Sequence, residues 1–578
     1  MGTLGKFLAE ARRRRVFRTA GLYIVGAWVV LQVADLALES MQLPGAMLRY
    51  FWLIAFLGFP LALVFGWYYD VTAAGIRKTP PASDVDAVDT SLGIPDYAII
   101  VALAIVAGAL SGGIMDRMRQ DESLLAGPSG IAVLPLQDLS GEEGQEYFSA
   151  GMQDALIASL SKIGALRVVS RTSTLGIGAS RSMPEIGNIL GVKHVIEGSV
   201  AREGDRVRII VQLVDAASDE HIWAESFSRE VTSVLSLQDE MARAIAQAVD
   251  VELSDAEKSE LTREKPINPE IYDDYLRGMH LVNQPDNLIK RRGIRILEEV
   301  VDKDPTSALA YAGLAYGYAI LGHSPYPEDM YPASKLASTR ALELDDSLAE
   351  AHLAAGMLKM YFERDFEAAE AALLRALELN SSLTMAHYHY AWLMELYRDS
   401  DRSLPPGDMT VELDPLLSPL HAWLGDQYRA AGMYEKALEH ADTALELDPN
   451  SALAKRVATL TYMDMGEMDL ALSLSEQIRN DEMWGFIHGV TLAAAGRTDE
   501  ARQILAGIEK TPRNVIALIR LYAALGDIDQ TFHWLNVARD VRLPWYPWFI
   551  TWFPQMESVG QDPRLQELAL ELGLEDYL

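Results

Sequence analysis

The stretch that decides the fold is Pro415–Pro449, PLLSPLHAWLGDQYRAAGMYEKALEHADTALELDP. Its apolar residues recur at helical spacing in two blocks, and Gly432 lies in the break between them. The pattern predicts two short antiparallel helices that end at a turn, Asp448-Pro449. Because one helix pair cannot bury its own apolar face, the sequence also predicts neighbouring pairs of the same kind.

Turns of this kind recur along the second half of the chain. They centre on Asp304, Asp345, Asn380, Asp414 and Asp448. The last three intervals are 35, 34 and 34 residues, and the first is 41 because of a proline-rich insertion at 323–327. A helical repeat of about 34 residues resembles the tetratricopeptide (TPR) family, whose repeats stack into a superhelix with a concave groove. The match is looser at 401–407, where Pro405-Pro406-Gly407 stands at the expected start of a helix, and an unrelated all-α domain is the alternative.

Length and composition limit the possible functions. A chain of 578 residues should hold several domains, and without cysteine it has no disulfides or thiolate metal sites. The formal net charge of −32 argues against a nucleic-acid-binding protein. The basic residues Arg12–Arg15 and Arg18 contrast with the acidic repeats, and this asymmetry favours an N-terminus that faces an anionic surface.

The first 118 residues carry three apolar segments, at about 19–38, 50–69 and 97–115. Each has about 20 residues, enough for a helix to cross roughly 30 Å of hydrocarbon, so we expect three transmembrane helices. The alternatives are a cleavable signal peptide for the first segment, a helical hairpin within a core for the first two, and two spans instead of three. Asp35 is expected at an interface or between helices, and a proton relay is the less favoured role.

Basic residues predict the orientation of these helices. Arg12–Arg15 precede the first segment and Arg77-Lys78 follow the second, so the positive-inside rule places both groups in the cytoplasm. With three spans, the chain after Met115 would lie across the membrane.

From Gly130 the pattern changes to strands and amphipathic helices. It predicts strands at 131–136, 166–170, 194–201, 206–213 and 221–227, and helices at 147–163, 183–190 and 234–251. Five segments in order resemble the TolB amino-terminal-like domain: IAVLPL at 131–136, FSAGMQDAL at 148–156, VVSRTS at 168–173, VIEGSV at 195–200 and IWAESF at 222–227. The resemblance implies a protein-binding module of bacterial periplasmic proteins, which also occurs beside TPR arrays in membrane-bound regulators and some adenylate cyclases. We therefore expect a multi-pass protein of the bacterial inner membrane, in contact with the lipid bilayer through its N-terminal helices and with periplasmic soluble domains.

The predicted fold class is multi-domain: N-terminal transmembrane helices, a small α/β (TolB N-terminal-like) domain and an all-α TPR superhelix. The predicted boundaries are a membrane region at 1–118, a linker at 119–129, the α/β domain at 130–253, a charged connector at 254–267 and a TPR-type α-solenoid at 268–578. After Pro449 the repeats shorten, and Gly466, Gly496 and Gly526 predict turns at intervals of 30 residues.

Candidates for catalysis are few. The sequence has no phosphate-loop lysine motif, kinase catalytic loop or nucleophile elbow, and Gly176-Ile177-Gly178 is interpreted as a plain turn. His387 and His389 are two residues apart on a predicted helix and point in different directions, which makes them poor metal co-ligands. We predict no catalytic residue, no cofactor and no metal, and an enzyme with an unfamiliar site is the weakest alternative.

The TPR resemblance implies that certain positions of each first helix face the groove. Counting from the turns places six residues there: Tyr316, Tyr361, Tyr388, Trp392, Arg429 and Arg456. Aromatic residues and arginine carry much of the binding energy at protein interfaces, so we predict a partner-binding role for this set. The alternative is that the aromatic side chains pack between helices. The tryptophan-rich segment 543–553 is predicted mainly as a cap on the last helices, and less favourably as a docking patch.

Two functions follow from this organisation. The first is a non-enzymatic, membrane-anchored scaffold or envelope signal sensor that binds a protein or peptide partner, but no nucleic acid, through the TolB-like domain and the TPR groove. The second is a regulatory subunit with its soluble part in the cytoplasm, which controls a cyclase or transcription effector. No oligomeric state follows from the sequence.

Overall fold

The computed structural model describes residues 23, 69–72, 75–78, 129–139, 146–177, 181–203, 206–230, 234–262, 268–284, 286–322, 330–551, 559–560 and 562–578. The chain divides into two compact units, 1–126 and 127–578. In the first unit Tyr23 is helical, and Tyr69–Thr72 (β1) pairs with Gly75–Lys78 (β2) as an antiparallel hairpin.

The predicted transmembrane helices require a correction. No helix among the described residues is both long and apolar enough to cross a membrane, and the longest of them, Asn287–Lys303, has 17 residues and carries many charges. The predicted spans 19–38, 50–69 and 97–115 lie outside the described residues except for Tyr23 and Tyr69, and Tyr69 pairs with Lys78 in the hairpin instead of ending a helix. The predicted fold class with transmembrane helices and the predicted multi-pass inner-membrane localisation are therefore wrong for the part of the chain that the structure describes, and bilayer contact through N-terminal helices has no support there.

The second unit begins with a small mixed sheet. Its strands are Ser129–Val133 (β3), Gln137–Asp138 (β4), Leu166–Val168 (β5), His194–Glu203 (β6), Arg206–Asp215 (β7) and Glu220–Glu230 (β8). The order is β5-β3-β6-β7-β8, and β4 also pairs with β6. The strand β3 runs parallel to β5 and β6, whereas β6, β7 and β8 form an antiparallel meander. Five of these strands lie within a few residues of the predicted ones, and β4 was not predicted.

Helices cover both faces of this sheet. They are Glu146–Leu160 (α1), Arg171–Gly176 (α2), Met183–Leu190 (α3) and Val234–Ala248 (α4), and a short connector helix follows at Asp255–Glu260 (α5). Phe148, Met152 and Leu156 recur at helical spacing along α1 and are fully buried, together with Met241 of α4, against one face of the sheet. The helix α3 packs on the opposite face around a smaller apolar cluster, which includes Ile186 and Ile177, the residue that follows α2.

The rest of the unit is an array of paired antiparallel helices. The first helices of the pairs are Pro269–Val282 (α6), Ala308–Gly322 (α8), Ala349–Leu358 (α10), Thr384–Leu396 (α12), Ser418–Ala430 (α14), Ala452–Asp464 (α16), Phe486–Ala494 (α18) and Val515–Ala524 (α20). The second helices are Asn287–Lys303 (α7), Tyr331–Leu344 (α9), Phe366–Leu379 (α11), Ser400–Leu413 (α13), Tyr434–Leu447 (α15), Met468–Gln477 (α17), Thr498–Gly507 (α19) and Ile528–Asp540 (α21). A π-helical turn, Lys359–Glu363, continues α10, and Tyr546–Thr551 (α22) and Pro563–Leu572 (α23) end the array.

The repeated Asp or Asn closes four of the second helices, α7, α9, α11 and α15, in the same way. Asp304, Asp345, Asn380 and Asp448 each accept, at 3.0 Å, the backbone N–H of the residue two positions later. A short side chain that bonds its own following backbone is a strong turn former, which explains why these residues mark the repeat boundaries.

Glycine sets the turn inside the later pairs. Gly432, Gly466, Gly496 and Gly526 have φ values between 72° and 81°, a region that residues with a Cβ atom rarely adopt. The predicted inter-helix turns at these glycines are confirmed. The helix α13 differs from the expectation, because it starts at Ser400 with Asp399 as its cap and continues through Pro405 and Pro406.

Candidate protein-binding site

The six predicted groove residues lie on the first helices of successive pairs. Tyr316 is on α8, Tyr361 in the π-helical turn after α10, Tyr388 and Trp392 on α12, Arg429 on α14 and Arg456 on α16. Tyr316 is half-buried, whereas the exposed fractions of the other five lie between 1% and 7%. The structure therefore brings these residues onto one side of the array, but covers most of them.

A segment of the same chain, residues 543–551, covers two of them, Trp392 and Tyr361, and is called the C-terminal segment below. Trp545 and Trp548 pack on Trp392, with ring centroids 5.5 and 6.5 Å away, and Trp423 of α14 joins the cluster at 5.3 Å. The indole nitrogen of Trp548 donates a hydrogen bond of 3.1 Å to the backbone oxygen of Trp392. An aromatic helix of this protein thus lies where a partner was predicted to bind.

Tyr361 belongs to the same aromatic cluster. Its ring centroid lies 5.7 Å from that of Trp548, and its hydroxyl shares a 2.9 Å hydrogen bond with Nδ1 of His389. Burial raises the pKa of Tyr361 and of Tyr388 well above the ordinary range, so both hydroxyls stay neutral.

His387 has a different environment from His389. Its Nε2 lies 2.9 Å from the backbone oxygen of Ser381, whereas His389 faces Tyr361. The two histidine side chains therefore point in different directions, which is what their spacing of two residues predicted.

A buried network of charges adjoins the aromatic cluster. Asp426, which is fully buried, accepts hydrogen bonds from Nε of Arg429 at 2.9 Å and from Nη2 of Arg456 at 2.6 Å. Nη1 of Arg429 also donates to Asp464, at 2.7 Å. Burial alone would raise the pKa of Asp426, but the two guanidinium groups outweigh it and hold the pKa below its usual value.

Arg456 is held by aromatic rings as well as by charge. Its guanidinium lies 4.6 Å from the ring centroid of Trp484 and 5.3 Å from that of Trp423. Such stacking is favourable for arginine in a desolvated site. Arg520 of α20 is buried nearby, and burial together with Arg456 and Arg429 lowers its pKa.

Contacts that the sequence did not reveal join the sheet to the array. At Asp414 the turn differs from the other four, because the hydroxyl of Ser173 donates to the Asp414 carboxylate and accepts the backbone N–H of Leu416. The array also contacts the edge strand β5, because the backbone N–H of Val168 donates a hydrogen bond of 3.0 Å to Ser382 Oγ. The sequence does contain a sign that the turn at Asp414 is different. The residue two positions after the turn Asp or Asn is polar at the other four turns (Thr306, Ser347, Ser382 and Asn450), but it is Leu416 after Asp414.

The described side chains were also compared with the arrangements that hold metal ions. Across the described residues, no group of three or more His, Asp or Glu side chains is arranged to hold a metal ion.

Family models match one segment of the helical array and most of the sheet region. Residues 418–451 match the tetratricopeptide repeat family. They form a tetratricopeptide repeat. Residues 128–244 match the second domain of HilA/YgeH-like transcriptional regulators. The comparisons do not support the predicted TolB-like assignment of this region.

One curated relative shares part of the chain. It is "Putative adenylate cyclase 3" of Rhizobium meliloti (strain 1021), 30% identical over 261 residues. The match takes in 43% of this chain and 44% of that protein, so the chain spans less than half the length of the relative.

The solved structures with similar folds share little sequence identity with this chain. YrrB, described as a TPR protein with an unusual peptide-binding site, is 20% identical, with a TM-score of 0.27, over 33% of this chain and 95% of that one. Pseudomonas aeruginosa pilF is 16% identical, with a TM-score of 0.27, over 47% of this chain and 99% of that one. Human IFIT1, in a dimer with m7Gppp-AAAA, is 16% identical, with a TM-score of 0.35, over 57% of this chain and 77% of that one.

Proposed function

We propose that this protein is a non-enzymatic scaffold that binds a protein or peptide partner through the first helices of its TPR array. The anchors are the six residues predicted from the sequence, Tyr316, Tyr361, Tyr388, Trp392, Arg429 and Arg456. One observation carries the proposal: this surface already holds an aromatic segment of its own chain, with a hydrogen bond from Trp548 to the Trp392 backbone. A surface that accommodates such a segment in cis has the chemistry to accommodate one from a partner.

The residue types of the surface favour a partner with aromatic side chains. Trp392, Trp423 and Tyr361 supply large, rigid apolar faces, which are typical of interface hot spots. Trp545 is only half-buried, so this edge of the C-terminal segment is the part that a competing aromatic group reaches first.

A labelled synthetic peptide of residues 543–551, LPWYPWFIT, tests this proposal by fluorescence anisotropy with the full chain. A Trp545→Ala change should weaken the segment's hold in cis and increase peptide binding over the wild type. A peptide with both tryptophans changed to alanine should not bind. Trp223→Ala, which changes a half-buried tryptophan on the sheet strand β8, is the matched control. No peptide binding by the Trp545→Ala chain, or equal binding of the alanine peptide, would contradict the proposal.

The second candidate function is regulation of a nucleotide cyclase or of transcription. The observations that favour it are the match of 128–244 to a domain of transcriptional regulators and the partial identity to a protein named as an adenylate cyclase. Adding the purified chain to the Rhizobium meliloti relative should change the rate of cyclic AMP formation, whereas the chain with ATP alone should form none. An unchanged rate would remove the cyclase as the target, and cyclic AMP from the chain alone would overturn the non-enzymatic proposal.

A further inference from the structure

The two edges of the mixed sheet have different surroundings. The edge strand β5 has three residues, and its Val168 N–H donates to Ser382 of the helical array. The strand β8 at the opposite edge has 11 residues, all exposed except Trp223 and Phe227, and among the described strands only β7 pairs with it. Within the described residues, no backbone group of 220–230 bonds to the backbone outside the sheet. An open edge of this kind is a template for a further strand.

Edge strands usually carry features that prevent such pairing, among them a short length, proline and β-bulges. Residues 224–230 contain no proline. Their pairing with β7 is regular, because the register shift between these strands lies at Leu213 and Val214, opposite the beginning of β8. The charged side chains of Glu225 and Arg229 therefore decide which strand can be added here.

The spacing of these two charges makes β8 complementary to a second copy of itself. Two copies related by a twofold axis pair in antiparallel fashion, and residues directly opposite each other lie on the same face of the sheet. With the axis at Phe227, Glu225 faces Arg229 of the second copy on both sides of the axis, and the two Phe227 rings are neighbours. Opposite charges and aromatic pairs stabilise neighbouring strands. An axis at Ser226 would place Glu225 against Phe227, and an axis at Glu225 would place two carboxylates together.

The side chains of β8 are positioned to make these contacts. Glu225 is exposed and forms no ion pair within the described part of the chain. Arg229 donates to Glu240 of α4 at 2.8 Å, but its side chain is 48% exposed, so guanidinium N–H groups remain for a second carboxylate. Glu225 and Arg229 are exposed on the face that also carries Phe227, so α4 leaves the edge open at both positions.

We propose that two copies of this chain pair through β8, in antiparallel register with the twofold axis at Phe227, so that residues 224–230 of each copy form the interface. The two sheets then join into one continuous sheet, with β8 of each copy at its centre. One pair of strands buries less area than a standard protein interface, so the dimer is weak and depends on concentration. The sheet edge is separate from the proposed peptide-binding surface, and the inference does not rest on peptide binding.

Sedimentation velocity of the full chain over a concentration series tests the proposal, at physiological ionic strength so that distant charges are screened. The wild type should form a reversible dimer. Glu225→Arg and Arg229→Glu should each weaken it by about tenfold, because like charges then face each other at two places, and the chain with both changes should dimerise like the wild type. Glu220→Arg is the matched control, since it makes the same charge change on β8 outside residues 224–230, and it should leave the dimer unchanged.

Disulfide formation measures the register, because the chain has no native cysteine. Ser226 of one copy faces Ser228 of the other, so an oxidised mixture of Ser226→Cys and Ser228→Cys chains should give mixed dimers. Either variant alone should cross-link far less, because equivalent residues are then diagonal neighbours about 7–8 Å apart, and a disulfide needs Cα atoms within about 6.8 Å.

Three results would overturn the proposal, provided that each variant keeps the circular dichroism spectrum of the wild type. They are a wild type that stays monomeric up to its solubility limit, a dimer that the double charge change does not restore, and cross-linking of Ser226→Cys alone that equals cross-linking of the mixture.

Discussion

The buried carboxylate of Asp426 gives the sharpest test of how the array is held together. Asp426 is fully buried and accepts hydrogen bonds from Arg429 and Arg456, which are themselves almost fully buried. The change Asp426→Asn keeps the size and shape of the side chain but removes its charge. It leaves two guanidinium groups desolvated without their shared counter-charge.

The expected loss is about 3–5 kcal/mol of unfolding free energy, the usual result of removing one partner from a buried ion pair. A matched control is Asp464→Asn. Asp464 also pairs with Arg429, but its side chain is 25% exposed, so water can replace it and the loss should be clearly smaller.

The pH dependence gives an independent check. Because the folded pKa of Asp426 is depressed, its charge contributes stability above the unfolded pKa of about 3.9 and loses it as the pH falls through the folded pKa. The difference between wild type and Asp426→Asn should therefore be full at pH 7 and shrink at acid pH.

Urea unfolding of the full chain, followed by helical circular dichroism, measures these losses. An Asp426→Asn midpoint equal to that of the wild type at pH 7, or no larger a shift than for Asp464→Asn, would refute the reasoning.

Three further changes test other contacts. Gly425→Leu should cost about 1–3 kcal/mol, because a Cβ there would already lie 2.9 Å from the backbone oxygen of Ala437, and an unchanged thermal unfolding curve would show that the helix contact is misplaced. Ser173→Ala should release the sheet from the turn at Asp414, seen as faster hydrogen exchange at 166–168 and 412–416 while exchange in α16 stays the same. Trp548→Ala should cost about 3–5 kcal/mol, because the indole is fully buried and its hydrogen bond to Trp392 is lost, and a near-wild-type urea midpoint would mean that the C-terminal segment does not hold the array.

The repeat could be predicted because its determinants are local. Four of the repeat turns are formed by one Asp or Asn and the backbone two residues later, and four tight turns by one glycine, so the sequence pattern within ten residues is sufficient. Most strands and helices of 129–248 were found for the same reason, since their alternating or helical spacing is a property of single segments. The two-residue strand β4 and the six-residue helix α2 were not predicted. Apolarity alone misled at the N-terminus, where length and hydrophobicity predicted spans that no described helix supports.

The contact between the C-terminal segment and the first helices could not be predicted in this way. Trp548 meets Trp392 across 156 residues, and Ser173 meets Asp414 across 241, so no window along the sequence contains both partners. The predicted aromatic residues and arginines lie on the first helices or, for Tyr361, just after one, but the sequence could not show that Trp545 and Trp548 pack onto Trp392 and Tyr361. The tryptophan-rich segment, which the sequence presents as a separate candidate, contacts two residues of the predicted partner-binding surface, Trp392 and Tyr361. A partner that uses these two residues must displace the C-terminal segment, so the apparent affinity in the peptide experiment depends on the fraction of chains in which the segment has released them.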